Sequence, residues 1–119
     1  MNDQTTTIQE LKDKFTQFCQ NRNWEQFHSP KNLSMCIAAE AAELMEHFLW
    51  IDVKESSTVM EENRHEIEKE VADIAFGLLQ FCAINKIDLT KAVDTKLQEL
   101  DRRYPVEKSY GRWTKDKNL

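Results

Sequence analysis

Almost nothing in this chain can stop a helix. Its 119 residues hold only two glycines and two prolines, and Pro30 and Pro105 fall where elements should begin or end. A turn-rich β architecture needs far more of both residue types, so long helices are expected and the fold class is all-α. The length suits one domain with a modest core and leaves nothing for a second core, so a deep site would need a second subunit.

Apolar spacing marks out the helices. Ile8, Leu11, Phe15 and Phe18 make one stripe of a first helix from Thr6 to Asn21. An aromatic, polar connector follows, Asn23-Trp24-Glu25-Gln26-Phe27-His28-Ser29. Ser29 is a natural N-cap and Pro30 a natural first-turn residue, which starts a second helix running to Trp50. Ser56, Ser57 and Thr58 offer a cap for a third helix from Val59 to Asn85, with Ile67, Val71, Ile74, Leu78, Phe81 and Cys82 on one side. Asp88 caps a fourth, which Tyr104-Pro105 ends near Arg103. Residues 1–105 thus form the helical domain, and 106–119 are expected to be a polar, mobile tail.

Two acid pairs stand out inside these apolar runs, Glu40-Ala-Ala-Glu43 and Glu70-Val-Ala-Asp73. Acids three apart share one helix face. On a wheel of about 100° per residue, Glu40 falls in the middle of the stripe made by Leu33, Ile37, Leu44, Phe48 and Ile51, and Glu43 lies at its border. Glu70 sits beside Ile74, Asp73 lies further round that flank, and Glu66 is a neighbour in an outer shell. A purely structural helix has no reason to aim a carboxylate at its core, because an unpaired buried charge costs several kcal/mol or forces protonation. The ordinary account is a salt bridge to Lys or Arg for Glu40 and solvated border acids for the other pair. The matched pairs favour a hard, oxygen-loving cation instead, Mg²⁺ first and Mn²⁺ second. A di-iron centre ranks low, since only Glu62-Asn63-Arg64-His65 has a Glu-x-x-His spacing and it lies in a highly charged stretch.

The remaining features narrow the function. A net charge of -5 argues against binding polymeric nucleic acid or a membrane surface, while a single nucleotide stays feasible with bound cations. Cys19, Cys36 and Cys82 lack zinc spacing and are odd in number, as suits reduced thiols in a cytoplasmic protein. The first ten residues are polar and Thr-rich, unlike a secretory leader, and no stretch is apolar enough for a bilayer. Phe27 and Trp24 read as core aromatics. His28 suits a hydrogen bond to a base or phosphate, His47 reads as a surface or packing histidine with an outer-shell role as the rival, and Trp50 either covers a base or closes an interface. Lys96, Arg102, Arg103, Lys108, Arg112 and Lys115 are candidate phosphate partners, although cations near a helix C-terminus also suit its dipole.

Taken in order, Trp24-Glu25-Gln26-Phe27-His28-Ser29-Pro30-Lys31-Asn32-Leu33, Glu40-Ala-Ala-Glu43-Leu44, Glu70-Val-Ala-Asp73 and Arg103-Tyr104-Pro105 resemble the MazG-like all-α nucleoside triphosphate pyrophosphohydrolases, most of all their dCTP pyrophosphatase branch. The likeness runs from Ile8 to Pro105. It implies a four-helix arrangement assembled as a homodimer or homotetramer, with Mg²⁺ held at Glu40, Glu43, Glu70 and Asp73. It also implies cleavage of a nucleoside triphosphate between the α and β phosphates, with His28 and Trp50 at the base and Lys96 at a phosphate. Two positions depart from the dCTP-specific pattern: Gly77 stands where those relatives often carry Tyr, and Leu100 where they often carry Asn. The expected consequence is altered base or sugar recognition.

Within that reading either Glu40 or Glu43 activates the attacking water. The rival reading is a non-catalytic helical interaction module whose polar core acids fix helix register.

Overall fold

The computed structural model describes residues 1–112; Lys115 and the rest of the expected tail, residues 113–119, lie outside the described residues. The described chain is all-α, with six α-helical segments, two short 3₁₀ turns and no strand. It divides into two compact units, one from Met1 to Lys86 and one beginning at Ile87.

The first unit holds α1 (Ile8–Asn21), α2 (Pro30–Glu46), α3 (Ser56–Glu62) and α4 (Arg64–Ile84). Helix α1 starts on a capping box: the Thr7 hydroxyl accepts from the Glu10 amide at 3.0 Å while the Glu10 carboxylate accepts from the Thr7 amide at 3.4 Å. Asn23 turns the chain out of α1 in the left-handed region, at φ 55°, which Asn tolerates better than most residues. A 3₁₀ turn over Glu25–Phe27 leads to Ser29, whose hydroxyl accepts from the Asn32 amide at 3.1 Å. The Asn32 side chain donates to the Phe27 carbonyl at 2.9 Å and ties the connector to the helix it precedes.

Three boundaries differ from the sequence expectation. Helix α2 ends at Glu46 and not at Trp50, because its last turn tightens into i→i−3 bonds, His47 amide to Leu44 carbonyl and Phe48 amide to Met45 carbonyl. The expected third helix is two helices. Asn63 leaves helical geometry (φ -113°, ψ 18°) and spends both its backbone amide and its side-chain amide on the Val59 carbonyl, at 3.0 and 3.1 Å. Ser56, Ser57 and Thr58 do not cap α3, which follows a 3₁₀ turn at Val53–Glu55 without a side-chain cap.

Helix α4 packs on both α2 and α1. Leu33, Ile67, Leu79, Cys82 and Cys19 form the buried core, and Phe76 takes the edges of Phe15 and Phe18 at ring-centre distances of 5.0 and 6.3 Å. Serving two partners changes which face of α4 is buried. Val71 and Leu78, expected in the stripe, are exposed, while Gly77, Leu79 and Gln80 are buried. Phe27, read as a core aromatic, is 58% exposed, and Trp24 packs only edge-on against Phe18 at 5.5 Å.

The second unit holds α5 (Leu89–Arg103) and α6 (Val106–Ser109). The Asp88 carboxylate accepts from the Lys91 amide at 2.9 Å to cap α5, and the helix stops at Tyr104, the residue that Pro105 forces out of the α region. The first four residues of the expected tail are the single helical turn α6.

Candidate metal centre

Helices α2 and α4 run antiparallel through the site, since Ile37 meets Gly77 and His47 meets Glu70. That pairing lays the two acid pairs across from each other. Glu40, Glu43, Glu70 and Asp73 each offer one carboxylate oxygen, and all four oxygens lie within 4.8 Å of one another. The approach depends on Gly77, one turn after Asp73: a Cβ there would stand 3.0 Å from Ile37 Cγ1. A mid-helix glycine costs about 1 kcal/mol against alanine, and here the absent side chain lets two acid-bearing helices come close. Position 77 therefore faces α2, so a tyrosine side chain there would run into Ile37.

The four acids are not equivalent. Glu40 and Glu70 are partly buried, and each has one oxygen, Oε2, buried without a hydrogen-bond partner among the described residues. Glu43 and Asp73 are exposed. Glu40 was the acid expected to point into the apolar stripe; Glu70 matches it from the opposite helix. Glu43 places a carboxylate oxygen within 4.8 Å of one from each of the two partly buried acids, on an exposed side of the cluster.

Electrostatics follow from that layout. Burial raises the Glu40 carboxyl above the ordinary carboxylate range, reinforced by the neighbouring Glu43 and then by the charges of Asp73 and Glu70. Glu70 is raised by burial, by Glu43 and by Asp73, with His47 opposing. His47 Nε2 stands 3.7 Å from Glu70 Oε1, too long for a hydrogen bond but close enough for charge to act. Cys36, one turn before Glu40, has its thiol raised by burial and by Glu40 and Asp73, which keeps it protonated and outside the oxygen set.

Four converging carboxylates, two with buried oxygens that find no partner among the described residues, and no imidazole among them, could hold a hard divalent cation. A carboxyl whose pKa is raised by folding binds its proton more tightly in the folded chain than in the unfolded one. Its contribution to stability is therefore largest below the ordinary carboxylate range and falls as pH climbs through the raised value. Without divalent metal, Glu40→Gln should match the parent in mild acid and become the more stable of the two as pH rises toward neutrality; Mg²⁺ should then raise the melting temperature of the parent more than that of the variant. Melting curves across pH, with and without Mg²⁺, check this. A parent that is the more stable at neutral pH without metal contradicts it.

The other expected site residues are placed as follows. His28 is half-buried at the end of the connector, with its ring against the edge of Phe76 at 6.3 Å and its Nδ1 3.4 Å from Gln80 Nε2. On a helical wheel Glu70, Asp73, Gly77 and Gln80 fall on one face of α4, so His28 lies about two turns along that face from Asp73. Trp50 is 90% exposed beyond α2. Lys96 lies in the second unit, where its Nζ pairs with Glu99 at 3.2 Å, and Glu99 also accepts from Arg103 at 2.6 Å. Glu66 is not in the cluster; it makes an exposed pair with Lys69 at 3.2 Å. The sequence reading missed Gln80, although an amide alone in the apolar run Phe76-Gly-Leu-Leu-Gln-Phe-Cys82 was a visible signal.

Comparison with known proteins adds independent findings. The sequence model of the MazG-like family matches residues 35–119. The dCTP pyrophosphatase 1 of Bos taurus is 34% identical over 107 residues, which is 88% of this chain and 63% of that protein. The dCTP pyrophosphatase 1 of Homo sapiens is 32% identical over 102 residues, 84% of this chain and 60% of that protein. The chain thus spans under two thirds of the length of these relatives. Among solved structures, a pyrophosphatase from Archaeoglobus fulgidus superposes with a TM-score of 0.81 at 35% identity, covering 88% of this chain and 98% of the other.

Proposed function

Because this chain belongs to the MazG-like family, we propose that it is a divalent-metal-dependent nucleoside triphosphate pyrophosphohydrolase, converting a (deoxy)nucleoside triphosphate to the monophosphate and pyrophosphate. The observation that carries this is the pair of buried, unpartnered oxygens of Glu40 and Glu70 inside a four-carboxylate cluster. Register-fixing acids in a non-catalytic module would find protein partners; among the described residues these two oxygens have none.

Glu40, Glu70 and Asp73, with Glu43 beside them, would hold the cation, Mg²⁺ before Mn²⁺. When bound, it neutralises triphosphate charge and makes water nucleophilic near neutral pH. Glu43 is exposed whereas Glu40 keeps one oxygen buried, which favours Glu43 over Glu40 as the base that takes the proton from a water aimed at the α phosphorus. His28 and Trp50 contact the base. The names of the mammalian relatives support dCTP or a modified deoxynucleotide as substrate.

Self-association as a homodimer or homotetramer fits the large apolar side chains left exposed along the first unit, Met35, Met45, Leu49, Trp50 and Val53 among them. A net charge of -5 disfavours polymeric nucleic acid. No helix among the described residues is long and apolar enough to cross a membrane, and a cytoplasmic location accords with the three free thiols.

A panel of canonical and modified deoxynucleoside triphosphates, assayed with Mg²⁺ for products, should release monophosphate and pyrophosphate together and lose that activity on chelation. Orthophosphate as the first product contradicts the cleavage site. A panel that is inert, in which Mg²⁺ with nucleotide also fails to raise the melting temperature, favours the interaction module.

A further inference from the structure

We propose that Gln80 is the positioning residue of His28: its buried side-chain amide donates to Nδ1 and holds the imidazole in the tautomer whose Nε2–H is presented to the nucleotide base. The inference rests on the reading that His28 faces the base, and adds the residue that sets which hydrogen-bonding group it shows.

Gln80 is fully buried, at 0% exposure, beside Leu79 and Cys82 at 4% and 3%. An amide in such surroundings is a poor core filler. Burying it without partners costs free energy where burying a methionine of similar volume stabilises, and replacing a buried polar group by an apolar one of the same shape is often neutral or stabilising. Among the described residues the one hydrogen bond of this amide is Nε2 to His28 Nδ1, 3.4 Å across 52 residues of chain, and its Oε1 is buried without a partner. A contact of that length is loose in the free protein, as site hydrogen bonds commonly are before ligand binds.

The orientation of the amide has a physical reason. An unpaired buried carbonyl is tolerated more often than an unpaired N–H, so the amide presents its donor to the ring. A ring whose Nδ1 accepts carries its proton on Nε2.

Everything else around His28 fixes where the ring stands and not which nitrogen holds the proton. The connector is pinned by Ser29 and Asn32, the His28 amide donates to the Glu25 carbonyl at 3.0 Å, and Phe76 meets the ring edge-on. Among the described residues, Gln80 alone addresses a ring nitrogen. Because it shares the α4 face of Glu70 and Asp73, one helix positions both the cation ligands and the base contact.

Gln80→Met keeps the volume and removes the amide. The variant should melt at or above the parent temperature, raise KM for the preferred triphosphate about tenfold, the equivalent of one net hydrogen bond, and leave kcat unchanged, because base recognition acts alike on ground and transition states. Side-chain ¹⁵N NMR of the nucleotide-free protein should show a single His28 tautomer with Nε2 protonated in the parent and a mixture in Gln80→Met. In a His28→Ala background Gln80→Met should change KM no further. A parent ring protonated on Nδ1, an unchanged tautomer in the variant, an unchanged KM, or the same KM loss without His28 each overturns the proposal. The NMR measurement needs no turnover, so an inert parent with a fixed His28 tautomer counts against the proposed activity and not against Gln80.

Discussion

Replacing Glu43 by Gln lowers turnover about a thousandfold, the scale on which removal of a positioned general base acts, while the protein stays folded and keeps its melting temperature in metal-free solution. The first half follows from position. Glu43 is exposed and has a carboxylate oxygen within 4.8 Å of the two partly buried acids, so a water reaching the cluster meets it. The second half follows from charge. A glutamine amide donates hydrogen bonds to Glu40 and Glu70 in place of a carboxylate that repels them, so the variant loses chemistry without losing the fold. The matching control is Glu66→Gln, an acid on α4 committed to a surface pair with Lys69, which should leave the rate unchanged. Steady-state kinetics and thermal melting on the two variants check the pair of outcomes. Normal activity in Glu43→Gln removes it from the role of base.

Gly77→Leu should destabilise the protein by about 3 kcal/mol, at the upper end of the usual cost of overpacking a filled core. The ideal Cβ already stands 3.0 Å from Ile37 Cγ1, and a leucine adds three further carbons toward α2. Moving α2 away to make room also separates Glu40 and Glu43 from Glu70 and Asp73, so the Mg²⁺ concentration needed to raise the melting temperature should increase in step. The effect has an identifiable partner: Ile37→Ala removes the obstructing atom, and the double variant should recover part of both losses, with a coupling energy above about 1 kcal/mol. Denaturant unfolding with and without Mg²⁺ measures both. Independent, additive losses show that Gly77 does not act through Ile37.

The clearest legible signal in the sequence was local. A chain so poor in glycine and proline reads as helical, Ser29 and Asp88 read as caps, and the caps form as read. Both acid pairs were visible because three-residue spacing places two side chains on one helix face whatever the helix packs against. The ends of helices were less legible. The tightening after Glu46 and the break at Asn63 depend on small competitions between backbone and side-chain hydrogen bonds that no apolar pattern records. The buried face of α4 was misread at Val71 and Leu78 because a wheel assumes one partner surface, and α4 packs on two helices.

The sequence by itself determined that this chain is helical, that it carries two matched carboxylate pairs on helix faces, and that Glu40 points into an apolar stripe. Each is a property of one segment and its period. Only the tertiary structure decided that the pairs converge within 4.8 Å, that Glu70 shares the burial of Glu40, that Gly77 marks a close helix approach, and that Gln80 reaches His28 across 52 residues. Those facts depend on the distance and register between helices, which the packing of Gly77 against Ile37 helps to set and which no single segment contains.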